Sequence, residues 1–288
     1  MGYIASKKEW CDANGENVDD WWRSTDTEIH HFIGKDIVYF HALFWPAMLE
    51  TAGLSLPRHI QVHGFLTVEG AKMSKSKGTQ VRARTYLDHL DPSYLRYFYA
   101  SKLSAGLDDL DLDGEELAAK VNSDLVGKVV NLASRTARFV KAVGLSEVYP
   151  DDGGLFEAAA AEGDRIADAY DHADIARAMR LTMALADKAN AFVEQAEPWK
   201  LKKEEGREKD VQDVSTIALN LFRQIAIYLA PVLPRLQAQT AELLGRPIEA
   251  WSESKTPLTG TPVAKFKPML QRLDAATVAR MYEASTQS

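Results

Sequence analysis

An α/β region built on a short parallel sheet, followed by an all-α bundle, is the architecture this sequence predicts. Three observations predict it. A strand–glycine–helix pattern runs from Glu28 through Gly34 to Asp36 and into a long apolar stretch. Beyond Glu115, apolar residues recur at helical spacing almost to the end of the chain. Between the two lies a basic loop, Lys72-Met73-Ser74-Lys75-Ser76-Lys77, bounded by Gly70 and Gly78. Lysines and small hydroxyl residues in that order suit neither a strand core nor an apolar helix face. They suit a loop whose ammonium groups converge on a polyanion.

Composition fits two soluble domains. The chain has 288 residues, 46% of them hydrophobic and 26% charged. Its net charge of −7 argues against a whole-surface grip on nucleic acid, so any RNA contact must come from local basic patches. The one cysteine, Cys11, excludes an internal disulfide or a multi-cysteine metal site in this chain, and no metal ligands are assigned. No signal-peptide pattern or membrane-length apolar run is present, so the expectation is a cytoplasmic protein without membrane contact.

In chain order, the opening Met1-Gly2-Tyr3-Ile4 has the composition of a domain interior, which suggests a fragment of a longer protein. Trp21-Trp22 is expected to close a surface helix onto the core. Ile29 to Ile33 reads as a short buried strand, and Gly34 as the residue that permits a sharp turn into a helix from about Asp36. Phosphate or hydroxyl groups of a ligand bind at such strand-to-helix turns. The helix from Ile37 to about Glu50 is apolar nearly all round and should be buried. Ile37, His41 and Trp45 lie four apart on one face with Phe40 beside them, an apolar pocket with one polar handle. His59–Gly64 and Phe65–Val68 read as β segments leading to the basic loop. Asp91-Pro92-Ser93 starts a helix, with Asp as N-cap and Pro in the first turn. Leu107–Gly114 reads as an acidic connector, and the helical region begins near Glu115.

There, Leu117, Val121, Leu125, Val129, Leu132, Thr136 and Phe139 form one apolar stripe. Lys128, Asn131, Arg135 and Arg138 form a polar stripe next to it. Helices follow from about Phe156 to Gln195, interrupted around Asp171–Asp174, and from Val211 to Gly245, broken at Pro231 and Pro234. Pro198-Trp199 lies between helices. Val263–Ala284 reads as a basic extended piece and a short amphipathic helix.

Three stretches go further than periodicity. Phe32 to His41 (with the Gly34-Lys35-Asp36 turn), Leu43 to Glu50 and Val129 to Arg135, taken with the Lys72–Ser76 loop, resemble the methionyl-tRNA synthetases, a family of class I aminoacyl-tRNA synthetases. The resemblance covers essentially the whole chain. It implies that residues 1–63 are the second half of a Rossmann-like catalytic domain. Residues 64–114 would be a connective α+β region carrying the loop, and 115–288 an all-α anticodon-binding helix bundle. The family's His-Ile-Gly-His motif, inserted domain and cysteine-bound zinc would lie upstream of Met1.

The residue roles that follow are likewise implied by the resemblance. Tyr3, Ile37, Phe40, His41 and Trp45 match the methionine pocket. Gly34, Lys35 and Asp36 match the turn at the ATP ribose. Lys72, Met73, Ser74, Lys75 and Ser76 match the catalytic loop, Lys75 also touching ATP. Asn131, Arg135 and Trp199 match the anticodon readers. The implied reaction joins methionine to tRNA(Met) through methionyl-adenylate, with ATP and Mg²⁺ as substrate. Two alternatives stand beside it: an isolated, catalytically inactive anticodon-binding module, and a different class I synthetase. For the polypeptide alone the expectation is no methionine-dependent pyrophosphate exchange. Half of a parallel sheet would also expose an edge strand and apolar surface, which invites self-association.

Overall fold

The computed structural model describes residues 2–72 and 81–286. The chain divides into two compact units, Met1–Phe65 with Ala105–Asp109, and Leu66–Ser104 with Leu110–Ser288.

In the first unit, α1 (Gly2–Asn14) and α2 (Asp19–Trp22) precede β1 (His30–Gly34). A continuous helical stretch follows. It starts as a 3₁₀ turn (Lys35–Ile37), widens into a π-helical segment (Phe40–Phe44) and ends as α3 (Trp45–Thr51). The chain returns as β2 (His59–His63), which pairs parallel to β1 with His30 opposite His59 and Gly34 opposite His63. This is the strand–helix–strand unit that the Gly34 pattern predicts.

Two burial expectations need correction. β1 is buried on one face only: His31 and Ile33 point inward, while Phe32 is 69% exposed. The helix after it is not covered all round. Trp45, Leu49 and His41 are buried, but Tyr39, Phe40, Leu43, Phe44 and Met48 are exposed. Apolar content marks a face as buriable; only the stripe that meets Trp22, Ile29 and Leu54 finds neighbours among the described residues. Of the tryptophan pair, Trp22 enters the core and meets Trp45 edge-on at 6.1 Å. Trp21 stays at the surface, with the Lys7 ammonium over its ring.

The second unit begins with β3 (Leu66–Val68) and β4 (Ala71–Lys72), an antiparallel hairpin with Thr67 opposite Lys72. The expected loop residues Met73 to Ser76 lie outside the described residues. After α4 (Ala83–His89), α5 (Pro92–Lys102) starts as predicted: Asp91 accepts the Ser93 amide at 2.8 Å and Pro92 fills the first turn. The acidic connector is not wholly irregular. Leu110–Leu112 forms β5, parallel to β3, with Leu110 and Leu112 buried around Asp111. Its Leu-Asp-Leu alternation is a strand signal that the acidic composition hides.

From Gly114 to Val140 runs one long helix: α6 (Gly114–Lys120), a π-helical segment (Val121–Val130) and α7 (Asn131–Val140). The predicted stripe is fully buried from Leu117 to Thr136; Phe139 is half-buried and Val140 takes the last core position. Residues at strict four-residue spacing drift about 40° per step around a 3.6-residue helix. The wider π turns take up that drift and keep Val121, Leu125 and Val129 facing the core.

The bundle is completed by α8 (Leu155–Asp171), α9 (Ile175–Ala196), α10 (Pro198–Leu201), α11 (Glu208–Leu229) and α12 (Pro234–Leu244). The break near 171–174 falls where Ala173 adopts a positive φ and Asp174 caps α9. The next break falls at the prolines as expected: α11 stops at Leu229, and α12 starts at Pro234. α11 packs against α7, α8, α9 and α12 and is buried along Ser215–Leu229. Most of its buried polar side chains reach backbone carbonyls: Asn220 donates to that of Leu258, and Gln224 to those of Phe156 and Ser254, while Gln224 Oε1 and Arg223 Nε are left without a partner among the described residues. The tail ends in α13 (Ala275–Thr286), which packs on α4 and α6. Among the described residues, no helix is long and apolar enough to cross a membrane.

Candidate functional site

Four rings meet in the first unit. The Tyr3 hydroxyl is 2.9 Å from His41 Nε2, and His41 Nδ1 is 3.0 Å from the Ile37 carbonyl. The carbonyl can only accept, so Nδ1 carries the proton and Nε2 takes the phenol's. Trp45 Nε1 donates to His31 Nε2 at 3.0 Å. Tyr3 lies 5.1 Å from the His31 ring and 5.8 Å from Trp45, centroid to centroid. Burial, and then the neighbouring His41, lowers the His31 pKa below 6.5, which suits a ring accepting an indole proton.

Three of these rings, Tyr3, His41 and Trp45, line a cavity of about 410 Å³ together with Phe40, Phe44 and Met48. Four of the five expected pocket residues therefore line one space. Ile37 contributes its carbonyl to His41 and is not among the lining side chains. The helix brings them together because the π segment spans His41 and hands over to α3 at Trp45. Such wide turns recur at functional sites. His31 was missed as a site residue. Period-two alternation places it inward beside Ile33, but its partners, Trp45 and Tyr3, are distant in sequence.

The turn after β1 corrects the role expected of Gly34. Its φ and ψ are −72° and 153°, open to any residue. A Cβ there would lie 2.6 Å from Asp36 Oδ1, the end of an exposed side chain that can turn aside, so neither backbone strain nor packing demands glycine at this position. The Asp36 side chain is exposed and has no hydrogen-bond partner among the described residues. Lys35 is bound within its own unit. Its Nζ is 2.7 Å from Asp109 Oδ1, which also accepts the Phe65 amide at 2.8 Å. The Lys35 bond first, then the Phe65 amide, hold the Asp109 carboxyl below its ordinary value. Lys72 closes β4; Met73, Ser74, Lys75 and Ser76 are outside the described residues. Among those described, no group of three or more His, Cys, Asp or Glu side chains is placed to hold a metal ion.

In the second unit, Arg135 of α7 and Trp199 of α10 meet. The guanidinium carbon is 4.4 Å from the indole centroid, a cation–π stack, and Nη2 donates to Glu194 Oε2 at 2.7 Å. Asn131 lies one turn earlier on α7, half-buried. Lys128 is paired with Asp187 at 2.9 Å, and Arg138 lies over Phe139. Polar, cationic and aromatic groups thus share one helix edge. Glu194 was not singled out from sequence; its signal is an acid on the turn of α9 before Pro198-Trp199.

Residues 1–137 match the family model of class I tRNA synthetases (M). The chain is 59% identical over 285 residues to the methionine–tRNA ligase of Rhodopirellula baltica, and 61% identical over 281 residues to methionine–tRNA ligase 1 of Sorangium cellulosum. Along nearly its whole length the chain is similar to methionyl-tRNA synthetases. The matches take in 99% and 98% of it but only 42% and 41% of those relatives, so it spans about two fifths of their length. Methionyl-tRNA synthetase of Mycobacterium tuberculosis is also similar in structure. Its apo form matches with a TM-score of 0.74 at 26% identity, over 87% of this chain and 50% of that one. Its complex with methionyl-adenylate matches with a TM-score of 0.75 at 28% identity, over 84% of this chain and 49% of that one. The first cluster lies within the stretch that the family model matches, and Arg135 of the second lies near its end.

Proposed function

We propose that this chain supplies the methionine pocket, the phosphate loop and the anticodon-reading bundle of a methionine–tRNA ligase. The observation that carries the reading is the convergence of Tyr3, Phe40, His41 and Trp45 on one cavity in a chain 59% identical to such a ligase. A thioether gains contact energy against ring edges, and apolar walls discriminate by about 1–3 kcal/mol per methylene. His41, held between Tyr3 and the Ile37 carbonyl, adds the polar handle.

In this proposal Asp36 accepts the ribose hydroxyls of MgATP, with Gly34 and Lys35 shaping the turn. The methionine carboxylate attacks the α-phosphorus, and pyrophosphate leaves. Charge builds on the leaving group, so Lys72 and Lys75 act where donors lower the barrier most; one preorganised donor is worth about 3 kcal/mol. Ser74, Ser76 and Met73 complete the loop. The methionyl group then passes to the 3′ end of tRNA(Met). Asn131 and Arg135 read base edges, and a base stacks on Trp199, either in place of the guanidinium or upon it. The functional division at 63/64 and 114/115 belongs to the same proposal.

A second reading rests on the Arg135–Trp199 cluster, which lies in the larger unit: the chain by itself binds the anticodon without catalysis. One experiment separates the two. This chain replaces the matching residues of the Rhodopirellula ligase, and methionine-dependent ATP–pyrophosphate exchange is measured. Exchange is expected, with His41→Ala raising the methionine KM about tenfold or more. No exchange from a folded chimaera, or exchange indifferent to His41, would leave only the binding reading.

A further inference from the structure

The hairpin that ends in Lys72 is tied at its root to the long helix that carries Asn131 and Arg135. Asp111 of β5 accepts both the Thr67 hydroxyl, at 2.6 Å, and the Gly70 amide, at 2.9 Å, through one carboxylate oxygen. Between those two residues the turn passes through Glu69, whose φ of 49° lies in the left-handed region that a glutamate seldom adopts. Its side chain has a destination: Oε1 accepts the backbone amide of Gly114, the first residue of α6, at 3.0 Å. That amide is one of the helix-start donors that need an outside partner, and a carboxylate there also meets the positive end of the helix dipole.

The tail helix closes the arrangement. A Cβ on Gly114 would come within 2.8 Å of Val278 and 2.9 Å of Tyr282, so α13 presses directly on the helix start. The Tyr282 hydroxyl donates to the Leu112 carbonyl at 2.9 Å. Burial first, and then the Glu69 carboxylate, push the Tyr282 phenol up, so it stays protonated and remains a donor. From Gly114 the helix continues without a break to Asn131 and Arg135, a span of about 25 Å to the first and about 32 Å to the second at 1.5 Å per residue.

We propose that Glu69 is a positioning residue: its carboxylate, held by the first turn of α6 and flanked by Asp111 and Tyr282, locks the root of the Lys72 hairpin to the anticodon helix, so that RNA seated on that helix steadies the hairpin. The steadying by RNA rests on the function proposed above; the lock itself does not. A rigid helix joined to a hairpin by a charge-assisted bond moves with it as one body, whereas a hairpin held by the short β3–β5 ladder and Asp111 alone opens more readily.

Hydrogen exchange of the amides of residues 66–72 tests both parts, in the chain alone and with tRNA bearing the methionine anticodon. Glu69→Ala and Glu69→Gly both remove the carboxylate, but glycine also relieves the positive φ; Glu69→Gln keeps an acceptor oxygen. The expected result is exchange at 66–72 about tenfold faster in the Ala and Gly variants, the loss of one charge-assisted bond, with Gln close to the unsubstituted chain. The amides of α11 should not change, which shows that the variants are folded. Bound tRNA should slow exchange at 66–72 in the unsubstituted chain and in Gln, but not in Ala or Gly, with equal tRNA affinity throughout. Wild-type protection in Glu69→Gly would show that the backbone shape, not the carboxylate, holds the hairpin, and would overturn the proposal. So would equal tRNA protection in all variants. If tRNA fails to bind the unsubstituted chain, the RNA reading fails, and the comparison without tRNA still decides the lock.

Discussion

The bond from Trp45 to His31 exists only while His31 is neutral, because Nε2 must keep its lone pair to accept the indole proton. This gives the first unit a pH dependence with a definite sign. A histidine with a lowered folded pKa contributes stability that is complete above its unfolded value of 6.5 and is lost as pH falls through the folded value. Tyr3, His41 and Trp45 face the ring, and none of them brings a carboxylate that would offset the charge. Tryptophan fluorescence of the first unit is therefore expected to shift as pH falls below 6.5, with a weaker dependence in His31→Gln. A profile identical in the two proteins would refute it. At this scale, the residues readable in sequence were those whose neighbours are four positions away: His41 and Trp45 declare each other along one helix. His31 and Glu194 did not, because what gives them meaning arrives from elsewhere in the chain.

An element's edge matters as much as its core. The α7 edge and the short α10 place Arg135 flat on Trp199, held also by Glu194. Stacking on a single aromatic is worth roughly 1–3 kcal/mol per base. Trp199→Ala is thus expected to cost about tenfold or more in affinity for tRNA bearing the methionine anticodon and to erase its preference over an anticodon variant. Filter binding of both tRNAs checks this; an unchanged preference would remove Trp199 from the reading surface. Helix starts and stops were legible because they depend on local chemistry: Asp91 with Pro92, Asp174, Pro231 and Pro234. β5 was not, since three residues become a strand only when β3 offers them a ladder. The turn at Gly34 was located correctly from sequence, but its backbone has φ and ψ of −72° and 153°, open to any residue, so the glycine marks the turn without being demanded by it.

The two units differ sharply in how they are held. In Leu66–Ser104 with Leu110–Ser288, one continuous apolar core runs from Val68 to Met281. In the first unit the buried cluster is Trp22, Trp45 and Leu49, with Ile4, Val18, Ile29 and Leu54 packed on it. Stability scales with apolar area removed from water, so the units should not melt together. Calorimetry of the chain is expected to show two transitions. Trp10, Trp21, Trp22 and Trp45 all belong to the first unit, so most of the fluorescence change should accompany the lower one. A single transition followed equally by fluorescence and helicity would contradict this. The helical bundle was legible because its stripes are long and regular. The exposed side chains of Tyr39, Phe40, Leu43 and Phe44 show the limit of that logic, since a pattern says what could be covered and only partners decide what is.

The wide turns of Phe40–Phe44 set a condition on length as well as chemistry. Closing the wide turns into ordinary α-helix would itself absorb one lost residue, so a version without Ala42 and Leu43, keeping every ring, would aim Trp45 about 100° away from where it now points. Its indole would lose His31, and the niche beside Tyr3 would lose a wall. Conservative swaps should therefore be better tolerated here than that double deletion.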